Sequence, residues 1–320
     1  MAVCTHLSEK AIQDILTHYR AGTLVSFGEV IEGSRNTTYQ LTTTERRLIL
    51  RLLEGDRYED EGRRELALIR HLGSHGVPCA EVLPTREGED FLLFMGRCTS
   101  LFSFIEGTKV SELPSPSVGQ LRQMGEVLAR MHRAARDWSI RRKQGLVFEP
   151  LLARLVSRER EVASHFGAAH GPIMDRVRHV LTHDFGSLPW GLLHNDLFPD
   201  NVFVQGEDIS GVIDFSECLE GPLVHDLAVV LNQWTFMPSA TYHPGLVHAF
   251  LAGYQSIRPL EPRERAALPV ALDRAAITFL LVRLLLFHLE PDLRVERRVK
   301  PFQDLLPLVL ADKRSLTEGF

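Results

Sequence analysis

Cysteine is scarce and dispersed in this chain: Cys4, Cys79, Cys98 and Cys218 are the four among 320 residues, and no two form a C-x-x-C pair. Such spacing builds neither a zinc cluster nor a disulfide framework, and it suits a reducing cytoplasm. Long hydrophobic runs are also missing. The most apolar stretch, residues 275–289, is interrupted by Arg283. It falls short of the about 20 apolar residues needed to cross a bilayer, so it is expected to be a buried helix rather than a membrane span. The opening MAVCTHLSEKAIQDIL carries charge throughout and has no apolar core of a secretion signal. No basic block is long enough to follow a phosphate backbone, and 36 Lys and Arg against 41 Asp and Glu leave a net charge of -5. That balance argues against nucleic acid as the partner, and the Arg-rich stretches 136–143 and 294–300 are expected to be solvated faces. Internal repeats and low-complexity linkers are absent as well.

What is present is ordinary globular composition, 44% hydrophobic and 24% charged residues, which excludes disorder. The length suits two modest cores better than one compact sheet. Residues 8–19 show helical apolar spacing with Ser8 as a cap. From 24 to 53 the pattern shifts to short β-like runs, LVSFGEVI, TTYQLTT and RLILRLL, which predict an antiparallel meander. Helical period returns over 59–72 and stops at Gly73; strand-like AEVLPT and DFLLFMG follow, and FSFIEG at 102–107 is expected to be a connector. Beyond Pro116 helices are predicted over 118–136, 149–166, 173–184, 244–254, 262–289 and 300–311. The expectation is an α+β fold of two lobes, a small antiparallel-sheet lobe over residues 1–107 and a larger, mostly helical lobe over 108–320.

One interval breaks the helical run: GLLHNDLFPDNVFVQGEDISGVIDF, residues 191–215. It reads as a loop over 194–200, a strand over 201–204, a turn at 205–208 and a second strand ending at Asp214. A hairpin of this kind brings Asp196, Asn201 and Asp214 towards one spot. Phosphoryl transfer from ATP needs that convergence, because its catalysis is mostly positioning and charge neutralisation. One carboxylate must take or orient the acceptor's hydroxyl proton, a role for Asp196. An amide oxygen and a second carboxylate, Asn201 and Asp214, suit a hard cation such as Mg²⁺. Taken alone, the spacing Asp-x4-Asn-x12-Asp would equally describe a surface turn capped by carboxylates.

With its flanks, the interval resembles a known family. H-N-D-L-F-P-D-N-V-F followed by I-D-F is similar to the catalytic loop and metal-binding segment of the aminoglycoside phosphotransferase, choline kinase and type II homoserine kinase superfamily, and most of all to the homoserine kinases. Further collinear segments carry the likeness along the chain: Gly33-x-x-Asn36-x-x-Tyr39, Gly76-x-Pro78-Cys79, Phe104-x-Glu106-Gly107, Asp226-Leu-Ala-x-x-Leu-Asn-x-Trp234 and Gly253-Tyr254-x-Ser256-x-Arg258-Pro259-Leu260. The resemblance implies a two-lobed, protein-kinase-like fold with a nucleotide-binding first lobe. It also implies ATP and Mg²⁺ as cofactors, a small hydroxyl-bearing substrate, and Asp196 as base with Asn201 and Asp214 on the metal.

Other residues follow from these expectations, each with a plainer reading beside it. Gly33 and Asn36 lie in a turn that could cover ATP phosphates or simply close a hairpin. Arg51 with Glu65 occupies the place of the cation–carboxylate pair on the phosphates, with Phe104 in the connector; a solvent-facing strand arginine is the alternative. His194 and His132 read as architectural histidines, and Asp226 as a helix cap that, in similar proteins, also bonds the catalytic loop. Asn232 and Trp234 either line the acceptor pocket or pack beneath it. Arg283, on an apolar helix, needs a partner or a ligand. After I-D-F the homoserine kinases carry an aromatic- and alanine-containing segment, whereas this chain reads Ser216-Glu217-Cys218-Leu219-Glu220-Gly221-Pro222. Glu217 and Glu220 would favour a cationic acceptor, which leaves homoserine, another amino alcohol and an amino sugar open, with a turnover-free nucleotide binder as the contrary case.

Overall fold

The computed structural model describes residues 5–30, 36–54, 59–138, 147–289 and 301–313. It divides into two compact units between Glu106 and Gly107. The first begins with helix α1 (Glu9–Thr17), whose N-cap Ser8 accepts from the Ala11 amide at 3.2 Å. Ile12, Ile15 and Leu16 form its buried face, the stripe that the helical spacing predicts.

Six strands follow: β1 (Leu24–Glu29), β2 (Asn36–Thr43), β3 (Arg47–Leu53), β4 (Val82–Leu83), β5 (Leu92–Phe94) and β6 (Arg97–Ser103), with helix α2 (Glu59–Ser74) between β3 and β4. Their order is β1-β2-β3-β6-β4, with β5 also on β6, and every pairing is antiparallel. Alternation sets the faces: Leu48, Leu50 and Leu52 of β3 are fully buried, and Leu48 and Leu50 pack with Leu41, Ile12 and Tyr19 in one core. The connector expected at 102–107 starts later than the sequence indicates. Phe102 and Ser103 belong to β6, whose residues from Cys98 to Phe102 are buried because the strand lies inside the sheet, with Phe102 facing both Ile49 and Val82.

The second unit comprises β7 (Thr108–Lys109), α3 (Val118–Ala134), α4 (Phe148–Ser157), α5 (Glu159–Phe166), α6 (His170–Leu181), β8 (Trp190–Leu193), β9 (Val202–Gln205), β10 (Asp208–Val212), β11 (Leu219–Pro222), α7 (Val224–Trp234), α8 (Pro244–Ile257), α9 (Pro262–Val282) and α10 (Leu306–Leu310). The single helix expected over 149–166 is two, broken at Arg158. The one expected over 262–289 is α-helical to Val282 and widens to a π-helix over Arg283–Leu289. Helices α3 and α8 pack backbone to backbone at Gly125 and Gly253. A Cβ on Gly253 would stand 1.9 Å from the Arg122 carbonyl oxygen, and one on Gly125 2.1 Å from that of Phe250.

Strand β9 pairs with both β10 and β7, while β8 pairs with β11. The β8–β11 ladder joins Leu193 to Leu219 and Gly191 to Gly221. It thereby ties the chain just before the loop at 194–200 to the chain just after Asp214. Among the described residues no helix is long and apolar enough to cross a membrane, and Cys79, Cys98 and Cys218 are free thiols.

Candidate active site

The singled-out residues fall into two sets, one in each unit. In the first, Arg51 Nη1 meets Glu65 Oε1 at 2.9 Å, and its guanidinium lies 4.9 Å from the Phe102 ring centroid. The strand arginine and helix carboxylate therefore form a shielded pair, and the Arg51 Nε is buried without a partner. Asn36 opens β2 opposite Leu53, with its Oδ1 also buried and unpartnered. Phe104 lies 4.2 Å beneath the Arg47 guanidinium, which also bonds the Glu106 carboxylate. That clasp escaped sequence reasoning, because Arg47 is one of many arginines and nothing in its spacing marks it. Gly33 lies outside the described residues.

In the second unit the loop after β8 is fixed at almost every position. His194 is fully buried. Its Nε2 lies 3.1 Å from the Ile213 carbonyl oxygen and its Nδ1 3.3 Å from the Asp196 amide nitrogen. Carbonyls only accept and amides only donate, so the proton sits on Nε2. Burial pushes its pKa down, in keeping with a neutral ring. His194 thus ties the backbone of Asp196 to the residue before Asp214, an architectural part. Asn195 and Asp214 both take left-handed backbone, at φ 69° and 63°, costly for non-glycine residues and common where function needs a special turn.

Asn201 Nδ2 donates to the Asp196 carbonyl at 2.8 Å and to the Asp196 carboxylate at 3.2 Å. Its Oδ1 remains as an oxygen donor for a cation. The Ile213 amide bonds the Asn201 carbonyl at 3.0 Å, which registers the hairpin. The Ser216 hydroxyl lies 2.6 Å from Asp214 Oδ1. Burial pushes the Asp196 carboxyl well above the usual carboxylate range; the negative charges of Asp214, Asp200 and Glu217 push it further, against the Asn201 amide. The hairpin does gather Asp196, Asn201 and Asp214.

A hard cation fits this donor set. The available groups are oxygens, the surplus charge is negative, and a Mg²⁺ ion usually takes only one or two protein carboxylates beside phosphate and water. Among the described residues no group of three or more His, Cys, Asp or Glu side chains is placed to hold a metal on its own.

Asp226 is not the helix cap that its position suggests. It lies inside the first turn of α7, fully buried. Its two oxygens accept from the His194 and Asn195 amides at 2.7 and 2.8 Å and from His132 Nε2 at 3.1 Å. Burial alone would raise its pKa, yet these donors hold it below the ordinary carboxylate value. Asn232 and Trp234 bond within the unit: Asn232 Nδ2 donates to Leu272 O and its Oδ1 accepts from the Tyr242 hydroxyl, while Trp234 Nε1 donates to Leu197 O. Trp234 thereby pins the loop at Leu197, whereas Asn232 ties α7 to α9 and to Tyr242. Arg283 Nη1 donates to Pro301 O at 3.1 Å; burial pushes its pKa down against the pull of Asp304 and Asp200. Glu217 is almost fully buried, and its carbonyl accepts from Asn195 Nδ2.

An antiparallel sheet with one internal helix, followed by a helical unit holding an Asp–Asn–Asp hairpin, defines a protein-kinase-like phosphotransferase fold. Known proteins carry the same signature. Residues 28–260 match the Phosphotransferase enzyme family. A homoserine kinase of Methylobacterium radiotolerans is 36% identical over 89% of this chain and 88% of its own. Another, of Allorhizobium ampelinum, is 35% identical over 96% of this chain and 95% of its own. The crystal structure of a spectinomycin phosphotransferase in complex with ADP and spectinomycin superposes with a TM-score of 0.70 at 15% identity, covering 99% of this chain and all of that one. The chain belongs to the Phosphotransferase enzyme family, on the branch that holds these homoserine kinases.

Proposed function

We propose that this kinase transfers the γ-phosphoryl group of ATP to the hydroxyl of L-homoserine, giving O-phospho-L-homoserine for threonine synthesis. The observation that carries the reading is the Asp196–Asn201 bond beside Asp214, in a chain alike over nearly its whole length to homoserine kinases. The acceptor oxygen bonds to the γ-phosphorus, the bond from that phosphorus to the ADP oxygen breaks, and the hydroxyl proton passes to the Asp196 carboxylate. Asn201 holds that carboxylate in place, and its Oδ1 together with Asp214 would hold Mg²⁺. When bound, Mg²⁺ neutralises phosphate charge. It would also relieve the repulsion that raises the Asp196 pKa, leaving Asp196 ionised as a base requires. In the first lobe Arg51, oriented by Glu65, would contact phosphate, with Asn36 and Phe104 contributing to nucleotide binding.

Glu217, buried among the charges around Asp196, suits the ammonium group of the acceptor. The same charge would accept other amino alcohols or an amino sugar. A coupled ADP-release assay with Mg·ATP and a panel of L-homoserine, amino alcohols, choline and aminoglycosides separates these, with Asp196→Asn as the blank. Selective turnover of L-homoserine is expected. Turnover of another member instead would reassign the acceptor, and silence on all of them with ATP still bound would remove homoserine and point to an acceptor outside the panel or to a nucleotide binder without turnover.

A further inference from the structure

A line of buried polar groups runs from α8 to the catalytic loop, and with a neutral imidazole and every donor satisfied its hydrogens run in one direction. Glu264, 1% exposed, accepts two bonds from Arg258, at 2.9 and 3.2 Å. Arg258 Nη1 also lies 3.2 Å from the Tyr254 hydroxyl oxygen. Guanidinium groups only donate, so the Tyr254 oxygen accepts there, and its own proton goes to its other partner, His132 Nδ1, at 2.8 Å. An Nδ1 that accepts leaves the imidazole proton on Nε2, where it is donated to Asp226 Oδ2 at 3.1 Å. Asp226 then receives the His194 and Asn195 amides.

We propose that Tyr254 is a positioning residue for catalysis, acting through His132 and Asp226 on the loop that carries Asp196; this rests on the reading of Asp196 as the base. Tyr254 is fully buried, and its hydroxyl bonds His132 and Arg258. Without that hydroxyl, His132 Nδ1 is left a buried acceptor with no donor, and Asp226 alone holds the proton on Nε2. The other tautomer turns a nitrogen lone pair towards the Asp226 carboxylate, which repels it. Asp226 is the group that holds Asn195 in its left-handed turn, one residue before the base. The hydroxyl on α8 thus holds the ring from one side as Asp226 does from the other, the ring anchors the carboxylate, and the carboxylate anchors the strained loop.

The test combines kinetics of Tyr254→Phe, which keeps the ring, with amide hydrogen exchange. We expect kcat to fall about tenfold, the scale of one hydrogen bond, with KM for nucleotide and acceptor within about twofold. The His194 and Asn195 amides should exchange about tenfold faster, while amides in the middle of α3 keep their rates. Wild-type kcat and exchange would overturn the proposal; so would a fall in kcat accompanied by raised KM and faster exchange throughout α3, the mark of general loosening. A measurement on the unaltered protein stands apart from any folding defect: ¹⁵N spectra should show His132 protonated on Nε2 alone, and a proton on Nδ1 overturns the chain of bonds. If Asp196→Asn keeps full turnover, the base assignment fails instead, while the exchange and ¹⁵N results still decide what Tyr254 does.

Discussion

The Ser216 hydroxyl donates to Asp214 Oδ1 at 2.6 Å, from the segment that directly follows the Ile213-Asp214-Phe215 run. A bond to an ionised acceptor at that length is a strong one. It engages one carboxylate oxygen and leaves the other for a cation. Ser216→Ala should raise the Mg²⁺ concentration needed for half-maximal activity by roughly threefold to tenfold, the worth of one such bond, with the acceptor KM unchanged. A Mg²⁺ titration at saturating acceptor reads this directly, and an unaltered requirement would take Ser216 out of metal positioning.

Asp196 should show activity and stability moving in opposite directions. Asp196→Asn is expected to lower kcat by roughly 10²–10⁴, the range of a lost general base, with ATP affinity within a few fold by calorimetry. The wild-type carboxyl is buried beside Asp214, Asp200 and Glu217, so its folded pKa lies above its unfolded one. For such a group stability is present at low pH and is lost as pH rises through the folded pKa. The neutral amide removes that loss, so the metal-free variant should melt at or above the wild-type temperature at pH 8. A lower melting temperature would show that the carboxylate contributes to the fold.

Acid should weaken the fold through buried histidines. Burial pushes His225 down to about 3; the charge of Arg274 pushes the same way, while Asp226 opposes. Arg274 Nη1 faces His225 Nδ1 at 3.3 Å, the arrangement of a neutral acceptor. A depressed histidine contributes stability that is fully present above the unfolded pKa, about 6.5, and that falls with pH down to the folded value. At pH 5.5 the loss is about 1.4 kcal/mol from this residue. His225→Gln, which keeps an acceptor for Arg274, should flatten unfolding free energy between pH 7.5 and 5.5 by about that amount. An unchanged slope would mean that His225 is protonated in the folded protein.

The hairpin at 191–215 was legible because its chemistry is local: turn residues, two short alternating runs and three oxygen-bearing side chains at hairpin spacing. Arg51 with Glu65 follows from the kinase resemblance, which implies a cation on the third strand paired with a helix carboxylate, and the two side chains do pair. What escaped depends on partners far along the chain. The bonds from Asp226 to the catalytic loop are those the resemblance implies, but it is buried inside the first turn rather than capping the helix, and its contact with His132, 94 residues away, has no local signal. For Asn232 and Trp234 the sequence leaves two readings, pocket lining or packing, and their bonds to Leu272 O and Leu197 O accord with packing. Strand β6 was taken partly for a connector because its centre is buried on both faces and lacks the alternation that marks a half-buried strand.

The close crossing of α3 and α8 links these effects. Position 253 adjoins Tyr254, whose hydroxyl reaches His132 on α3, and a Cβ there would meet the backbone oxygen of Arg122 at 1.9 Å. Backbone cannot yield as a side-chain tip can, so the helices must separate. Gly253→Ala should therefore destabilise the protein by roughly 1–3 kcal/mol or more. The added space should also stretch the bond from Tyr254 to His132. Gly171 in α6 supplies the contrast, since a Cβ there meets nothing within 4 Å, and Gly171→Ala should be neutral or stabilise by up to about 1 kcal/mol. Denaturant melts of the two variants compare the crossing with ordinary helix propensity. If Gly253→Ala loses stability but keeps wild-type kcat, the crossing serves folding alone; a loss of kcat at temperatures where the variant is fully folded ties the approach of the two helices to the catalytic loop.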